Sequence, residues 1–326
     1  MKISQIKKKY FNFLNIGTNY SYKKIKCEIC GSKKSTVIQE KISWGNEKFG
    51  NLPIVCCDYC GFLFQNPRFE KKFYKKFYRE YYRKKIYSDK IPSKSFLQDQ
   101  LNRGINIHKY LLKNYKIPKK GKFLDVGCST GLMMKPFLKN GWDCYGNDPD
   151  EPYVKFGQDK LKLPIEYIDA EEMNYKKNFF DLILIAGSLE HCFDPNVVME
   201  KCSQFAKKNS LLILEARGEP RSVSKYYFNH NHHRYFSLNS LELIMIKYGW
   251  EPIETTMYPI SGPTREGGIW CIGRFKKKTL NKKFLELIKK GKKETFKTIV
   301  SKFNYYNYLN KDLNPFRGDY RNYKKK

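Results

Sequence analysis

The sequence predicts an α/β chain: a doubly wound, mostly parallel sheet in the second half, with a small metal-binding unit ahead of it. Three observations predict this. From residue 121 to 275, apolar strand-like runs alternate with amphipathic helical stretches. The first of those strands, "KFLDV", runs directly into a glycine turn, "GCSTG". Two Cys-x2-Cys pairs lie between residues 26 and 68.

Taken in order, residues 1–25 are basic and aromatic and read as a loosely ordered arm. Residues 26–68 hold the cysteine pairs among the turn formers Gly31, Gly50, Pro53, Gly61 and Pro67. Residues 69–120 read as a helical linker. Phe69, Phe73, Phe77 and Tyr81 recur every four residues, which predicts a helix packing its aromatic face on the next domain. A stacking surface for nucleic acid is the alternative reading of that stripe. In the sheet domain, 121–275, strands are predicted at 122–127, 143–147, 165–168, 180–186, 210–216, 252–258 and 268–275. Helices are predicted at 131–140, 152–162, 195–207 and 238–248. The segment 276–326 is Lys-rich and reads as one helix followed by a frayed basic end.

Composition bounds the function. A 41% hydrophobic content fills a core. No apolar run approaches the roughly 18 residues of a membrane span. The start lacks an apolar signal region, so the expected location is cytoplasmic. The net charge is +31, but Lys is spread along the chain rather than gathered in one block. This fits compositional bias together with a mildly anionic small-molecule or glycan substrate. RNA, or peripheral contact with an anionic membrane surface, is the alternative partner. Ten cysteines without a secretory signal argue against a disulfide framework.

The glycine turn lacks the G-x-G-x-x-G spacing of a dinucleotide site. A carboxylate at the strand end, Asp125, repels a pyrophosphate and attracts a cation. S-adenosylmethionine (SAM), with a sulfonium, an ammonium and no phosphate, suits such a loop. Asp148 in "YGNDPD" ends the second strand, where a carboxylate accepts from both ribose hydroxyls. Asp169-Ala170 in "IEYIDAEEM" ends the third, where an acid accepts from the adenine amino group. "FDLILIAGSLEHCFDP" is an apolar strand running into Glu190-His191 at the same sheet edge.

With these four motifs in order, residues 121–275 resemble a class I SAM-dependent methyltransferase. The resemblance implies a Rossmann-like sheet of seven strands with an antiparallel last strand, which "GGIWCIGRF" fits. It implies that Gly127, Cys128, Ser129 and Gly131 wrap the methionine part beside Asp125. Asp148 then holds the ribose, Asp169 and Ala170 sit at the adenine, and Gly187 lines the cofactor cleft.

"CEIC" and "CDYC" place Cys27, Cys30, Cys57 and Cys60 as two pairs, each followed by a glycine. Four thiolates imply a closed structural zinc site, with an iron–sulfur centre as the alternative. Cys56 is an extra, and a Cys56-x3-Cys60 register is a less regular choice. The arrangement resembles the zinc-binding N-terminal domain of bacterial sugar-modifying methyltransferases. Similar ribbons occur on ribosomal RNA methyltransferases.

Methyl transfer to a hydroxyl or carbon needs a base. His191 is one candidate, and the cluster His230, His232, His233 in "FNHNHHRYFS" supplies His232 and His233 as others. His108 reads as structural. Sugar C-methyltransferases of this type show Glu-His shortly before Tyr-Phe-Ser. Here Tyr235-Phe236-Ser237 match, but Asn231 stands at the Glu position, and the chain after the sheet is shorter. Arg217 and Arg221 could clamp an anionic acceptor. The expected function is methylation of a sugar hydroxyl or carbon, with an RNA methyltransferase as the first alternative and a scaffold without turnover as the second.

Overall fold

The computed structural model describes residues 21–39, 53–78, 91–217, 232–265, 268–277 and 281–291. Expectations for residues 1–20, Tyr81, Arg221, His230, Asn231 and the tail beyond 291 lie outside the described residues. The strands, in chain order, are β1 (Tyr22–Lys23), β2 (Ser35–Gln39), β3 (Ile54–Cys57), β4 (Leu63–Gln65), β5 (Arg68–Phe69), β6 (Lys122–Val126), β7 (Asp143–Asn147), β8 (Ile165–Glu166), β9 (Phe180–Ala186), β10 (Ala206–Arg217), β11 (Arg234–Tyr235), β12 (Trp250–Thr256) and β13 (Gly268–Phe275).

The chain divides into two compact units. The first takes Met1–Glu70, Glu219–Tyr235 and Ile288–Lys326. Its four-stranded antiparallel sheet runs β11-β4-β3-β2, and β1 pairs with β5 beside it. The ribbon expected over 26–68 therefore recruits a strand from more than 160 residues downstream, for Arg234 pairs with Phe64 across β11 and β4.

The second unit takes Lys71–Gly218 and Phe236–Leu287. Its seven-stranded sheet has the order β12-β13-β10-β9-β6-β7-β8. Strands β10, β9, β6, β7 and β8 are parallel, and β13 runs antiparallel to both β10 and β12. The sequence of β9, FDLILIA, is buried along nearly its whole length, as a central parallel strand covered on both faces must be. The chain steps outward from β6 to β8, then returns to lay β9 on the other side of β6. That reversal makes the carboxyl edge between β6 and β9 the topological switch point, where open α/β sheets bind ligands.

Local chemistry sets the helix ends. Asp194 accepts from the amides of Asn196 and Val197, with Pro195 at the first position, and so starts the helix Pro195–Phe205. Ser237 and Ser240 cap each other at the start of Leu238–Lys247. The helix Lys94–Asn114, capped by Ser93, lies inside the expected linker but packs as part of the second unit. It buries Ile107 and Leu111 in the sheet core. A Cβ at Gly104 would come within 2.4 Å of the Met133 carbonyl, so only glycine permits this approach.

Other boundaries shift for identifiable reasons. The helix expected over 131–140 begins as a 3-10 turn, Leu132–Met134, before Lys135–Lys139, because Pro136 has no amide to donate to an α-helical turn. The strand expected over 165–168 keeps only two residues at the sheet edge. In the aromatic stripe, Phe69 belongs to β5, and helix starts at Lys71. Phe73 and Phe77 are buried and stacked, with ring centres 5.9 Å apart.

Candidate functional site

In the second unit the expected SAM-site residues follow the carboxyl ends of neighbouring parallel strands. Asp125 is the penultimate residue of β6. Its side chain is fully buried, and neither carboxylate oxygen has a hydrogen-bond partner among the described residues. Burial pushes its carboxyl up to about 7; Asp148 adds to this, and Arg103 opposes it. A buried carboxylate without a partner is costly, and a cation seated against it would remove the cost.

The turn after Asp125 is set by backbone conformation. Gly127, Ser129 and Gly131 all have φ between 56° and 77°. The amides of Gly127 and Cys128 both donate to the Asn147 carbonyl at the end of β7. At the switch point, Ser188 Oγ donates to the Val126 carbonyl at 2.7 Å. A Cβ on Gly127 would lie 2.4 Å from the Ser188 Cβ, so the loops after β6 and β9 touch where only glycine fits. Gly127→Ala is therefore expected to weaken cofactor binding at least tenfold, read by calorimetry, with a strain cost on the order of 1–3 kcal/mol. Cys128 is buried, and burial holds its thiol well above its ordinary range. It is a packing residue of the loop rather than a nucleophile.

Asp148 orders the loop. Its Oδ2 accepts from the Ser129 amide at 2.8 Å, and its Oδ1 from the Asp150 amide at 2.9 Å. A carboxylate retains further acceptor capacity after two such bonds. Asp169 precedes the 3-10 turn Ala170–Glu172, where its carbonyl accepts from the Glu172 amide at 2.9 Å, and Ala170 is buried. Lys75 reaches this turn, 2.6 Å from Glu172 and 3.5 Å from Asp169. Gly187, at φ 68°, turns the chain out of β9 towards Glu190 and His191. The His191 Nδ1 lies 3.1 Å from the Tyr78 hydroxyl, and the rings meet edge to face. Several buried polar atoms cluster here without partners among the described residues: the Asp125 oxygens, Ser129 Oγ, Thr130 Oγ1 and Asn147 Oδ1. A ligand with an ammonium and ribose hydroxyls matches that set.

Four residues of this site gave no motif in the sequence. Arg103 donates to Glu215 at 2.6 Å with both side chains buried, and Arg265 lies 3.5 Å from the same carboxylate. Tyr78 and Lys75 stand on one short segment before the sheet domain. Each lies far in sequence from its partner, so only the fold brings the pairs together.

The first unit contains the cysteine site. The sulfurs of Cys27, Cys30, Cys57 and Cys60 all lie within 4.8 Å of one another, and the Cys27–Cys60 and Cys30–Cys57 pairs are 3.5 Å apart. Four sulfurs around one zinc would stand roughly 3.8 Å apart, so the set fits. The two knuckles are equivalent. In each, the glycine amide donates to the first cysteine's carbonyl, and Gly31 and Gly61 take φ 75° and 76°. Hydrogen bonds among the four sulfurs hold the Cys57 thiol low and push the Cys60 thiol up. Cys56 stays outside the cluster because successive strand residues face opposite ways. None of the ten cysteines is joined in a disulfide.

His232 and His233 also lie in the first unit and are buried. Their carbonyls accept from Gln65, whose side-chain amide reaches His232 at 2.7 Å and whose backbone amide reaches His233 at 2.8 Å. His191 belongs to the second unit.

Residues 124–214, which run from β6 to β10, match the methyltransferase-domain family. The chain carries a class I methyltransferase domain. Curated relatives agree. A ubiquinone biosynthesis O-methyltransferase of Pelagibacter ubique is 32% identical over 132 residues, covering 37% of this chain and 54% of that protein. One of Rhodopseudomonas palustris is 31% identical over 98 residues, covering 28% and 38%. The chain thus spans about half, or less, of the length of these relatives. Among solved structures, an Aquifex aeolicus SAM-dependent methyltransferase shares 16% identity at a TM-score of 0.41, covering 52% of this chain and 89% of its own. A Burkholderia thailandensis 1,6-didemethyltoxoflavin-N1-methyltransferase, solved with S-adenosylhomocysteine, shares 13% at 0.42, covering 59% and 81%. Asp125, Asp148 and the glycine turn all lie within the matched residues. No helix among the described residues is long and apolar enough to cross a membrane.

Proposed function

We propose that the chain is a SAM-dependent methyltransferase whose acceptor is a sugar hydroxyl. The observation that carries the cofactor is the fully buried, unpartnered Asp125 carboxylate at the switch point, beside the glycine turn. Asp125 would hold the ammonium, Asp148 the ribose, and Asp169 with Ala170 the adenine. When bound, SAM supplies a methyl group on a positively charged sulfur. The protein's share is to orient the acceptor, exclude water and take the hydroxyl proton as the oxygen–methyl bond forms.

His191 is the base for that proton, since it follows β9 and Tyr78 fixes its ring by the bond to Nδ1. His191→Ala is expected to lower kcat roughly 100-fold or more while cofactor affinity stays unchanged. Tyr78→Phe should lower kcat by a smaller factor, again without moving cofactor affinity. A loss of affinity in either variant would place His191 in cofactor binding instead.

The sugar assignment rests on the four-cysteine unit ahead of the domain and on Tyr235-Phe236-Ser237. A second acceptor class is favoured by the relatives, which are named for ubiquinone biosynthesis. Incubation with methyl-labelled SAM separates the readings. Nucleotide-sugars with lipid-linked glycan precursors form one pool, ubiquinone precursors a second and total RNA a third. Label in the first supports the proposal. Label confined to the second moves the acceptor to the relatives' pathway, and label in RNA alone overturns both readings.

A further inference from the structure

The first unit contains an ion network that the cysteine site does not require. Glu28 sits between Cys27 and Cys30 in the first knuckle, and its side chain is buried. Arg234 grips it through two bonds, Nε to Oε2 at 2.8 Å and Nη2 to Oε1 at 2.7 Å. Arg68 donates to Oε1 at 2.7 Å. Two guanidinium groups thus place three short hydrogen bonds on one buried carboxylate. Arg234 is 1% exposed. It comes from β11, which has only two residues and cannot stand alone.

The same short stretch is held three more ways. β11 adds to the edge of β4, with Tyr235 opposite Leu63. Gln65, itself buried, bonds the carbonyls of both His232 and His233. A segment carrying two of the chain's five histidines is therefore pinned, residue by residue, to the sheet whose knuckles carry the cysteines.

We infer that the cysteine-bearing unit is a holder for the His232–Tyr235 segment, with Glu28, Arg68 and Gln65 as its positioning residues. Metal occupancy of the four cysteines sets whether that segment is held. Loading the site fixes the knuckle that presents Glu28, and Glu28 fixes Arg234. Loss of the metal releases the knuckle, the clasp and the added strand together. The unit thereby becomes a metal-dependent control over one histidine-bearing segment, while the Asp125–Asp148 cleft lies in the other unit. The link to turnover rests on the proposed methyltransferase activity; the holding itself does not.

Hydrogen exchange of the full chain, read by mass spectrometry on peptides covering residues 232–237, tests this. Stripping zinc with a chelator should speed exchange of those peptides at least tenfold, and S-adenosylhomocysteine affinity should change less than twofold. Glu28→Gln, which keeps all four cysteines, should bind one equivalent of zinc and still show the faster exchange. Gln65→Met, which removes only the side-chain bond, should show a smaller increase. Methyl transfer by Glu28→Gln, if an acceptor is in hand, should lose kcat rather than cofactor affinity. Unchanged exchange at 232–237 in stripped protein, while residues 54–65 exchange faster, would overturn the inference. So would unchanged exchange in zinc-loaded Glu28→Gln.

Discussion

Asp125→Asn weakens cofactor binding roughly 100-fold or more and removes its dependence on pH, because a buried charge loses its partner. The sign follows from the environment. Burial, helped by Asp148 and opposed by Arg103, pushes the Asp125 carboxyl up to about 7. Without ligand the group is therefore protonated under mildly acid conditions. The cofactor's ammonium favours the ionised form, so a proton must leave before the cation settles. Affinity should be constant above about 7 and weaken about tenfold for each pH unit below it. Folding stability runs the other way. A carboxyl raised in the folded state contributes stability that is complete below the ordinary aspartate value. That contribution is lost as pH rises through about 7. Unliganded protein should melt progressively lower across that window, and Asp125→Asn should flatten the trend. Calorimetry in two buffers of different ionisation enthalpy reads the released proton directly. Affinity that is flat from about pH 5 to 8 would mean that the carboxylate is already ionised.

Arg103→Met lowers stability by about 3–5 kcal/mol, with the lower end expected. The substitution keeps the helical side chain's bulk but leaves Glu215 buried, with Arg265 3.5 Å from it. Arg103 and Glu215 are each 2% exposed at the side chain, so water cannot replace the lost partner. Its second consequence falls on the cofactor cleft. Arg103 is the group that opposes the upward shift of Asp125, so the carboxyl should rise further in the variant. The pH at which cofactor affinity begins to weaken should then move up. Pairing Arg103→Met with Glu215→Gln should restore most of the stability and none of the affinity profile. A stability change under about 1 kcal/mol would show that the pair contributes no more than a surface ion pair.

The parts of this molecule that were legible in the sequence are those governed by local rules. Period-two and period-3.6 patterning located all seven strands of the large sheet and four of its helices. The carboxylates at strand ends marked the switch point. The Cys-x2-Cys spacing with its glycines picked out Cys57 over Cys56, because the glycine after Cys60 closes the same turn as the one after Cys30. What was not legible depends on long-range pairing. Nothing near Arg103 announces Glu215, 112 residues away. Nothing near Glu28 announces Arg234, 206 residues away. The aromatic stripe at 69–81 had the right period, but its first residue was taken by β5 pairing with β1, so the helix starts later. The helix Lys94–Asn114 lay within the expected helical linker, but its packing into the sheet core was not legible. Its burial follows from Gly104, whose missing Cβ lets it meet Met133.

On the proposed reading, the turn from Asp125 to Gly131 receives a cationic, phosphate-free adenosine ligand. Titrating S-adenosylmethionine and NAD in parallel into the purified full chain, by calorimetry near pH 8 where Asp125 is ionised, tests it most directly. One equivalent of S-adenosylmethionine should bind in the micromolar range, with no heat from NAD. Binding of NAD, or of neither ligand, would contradict it.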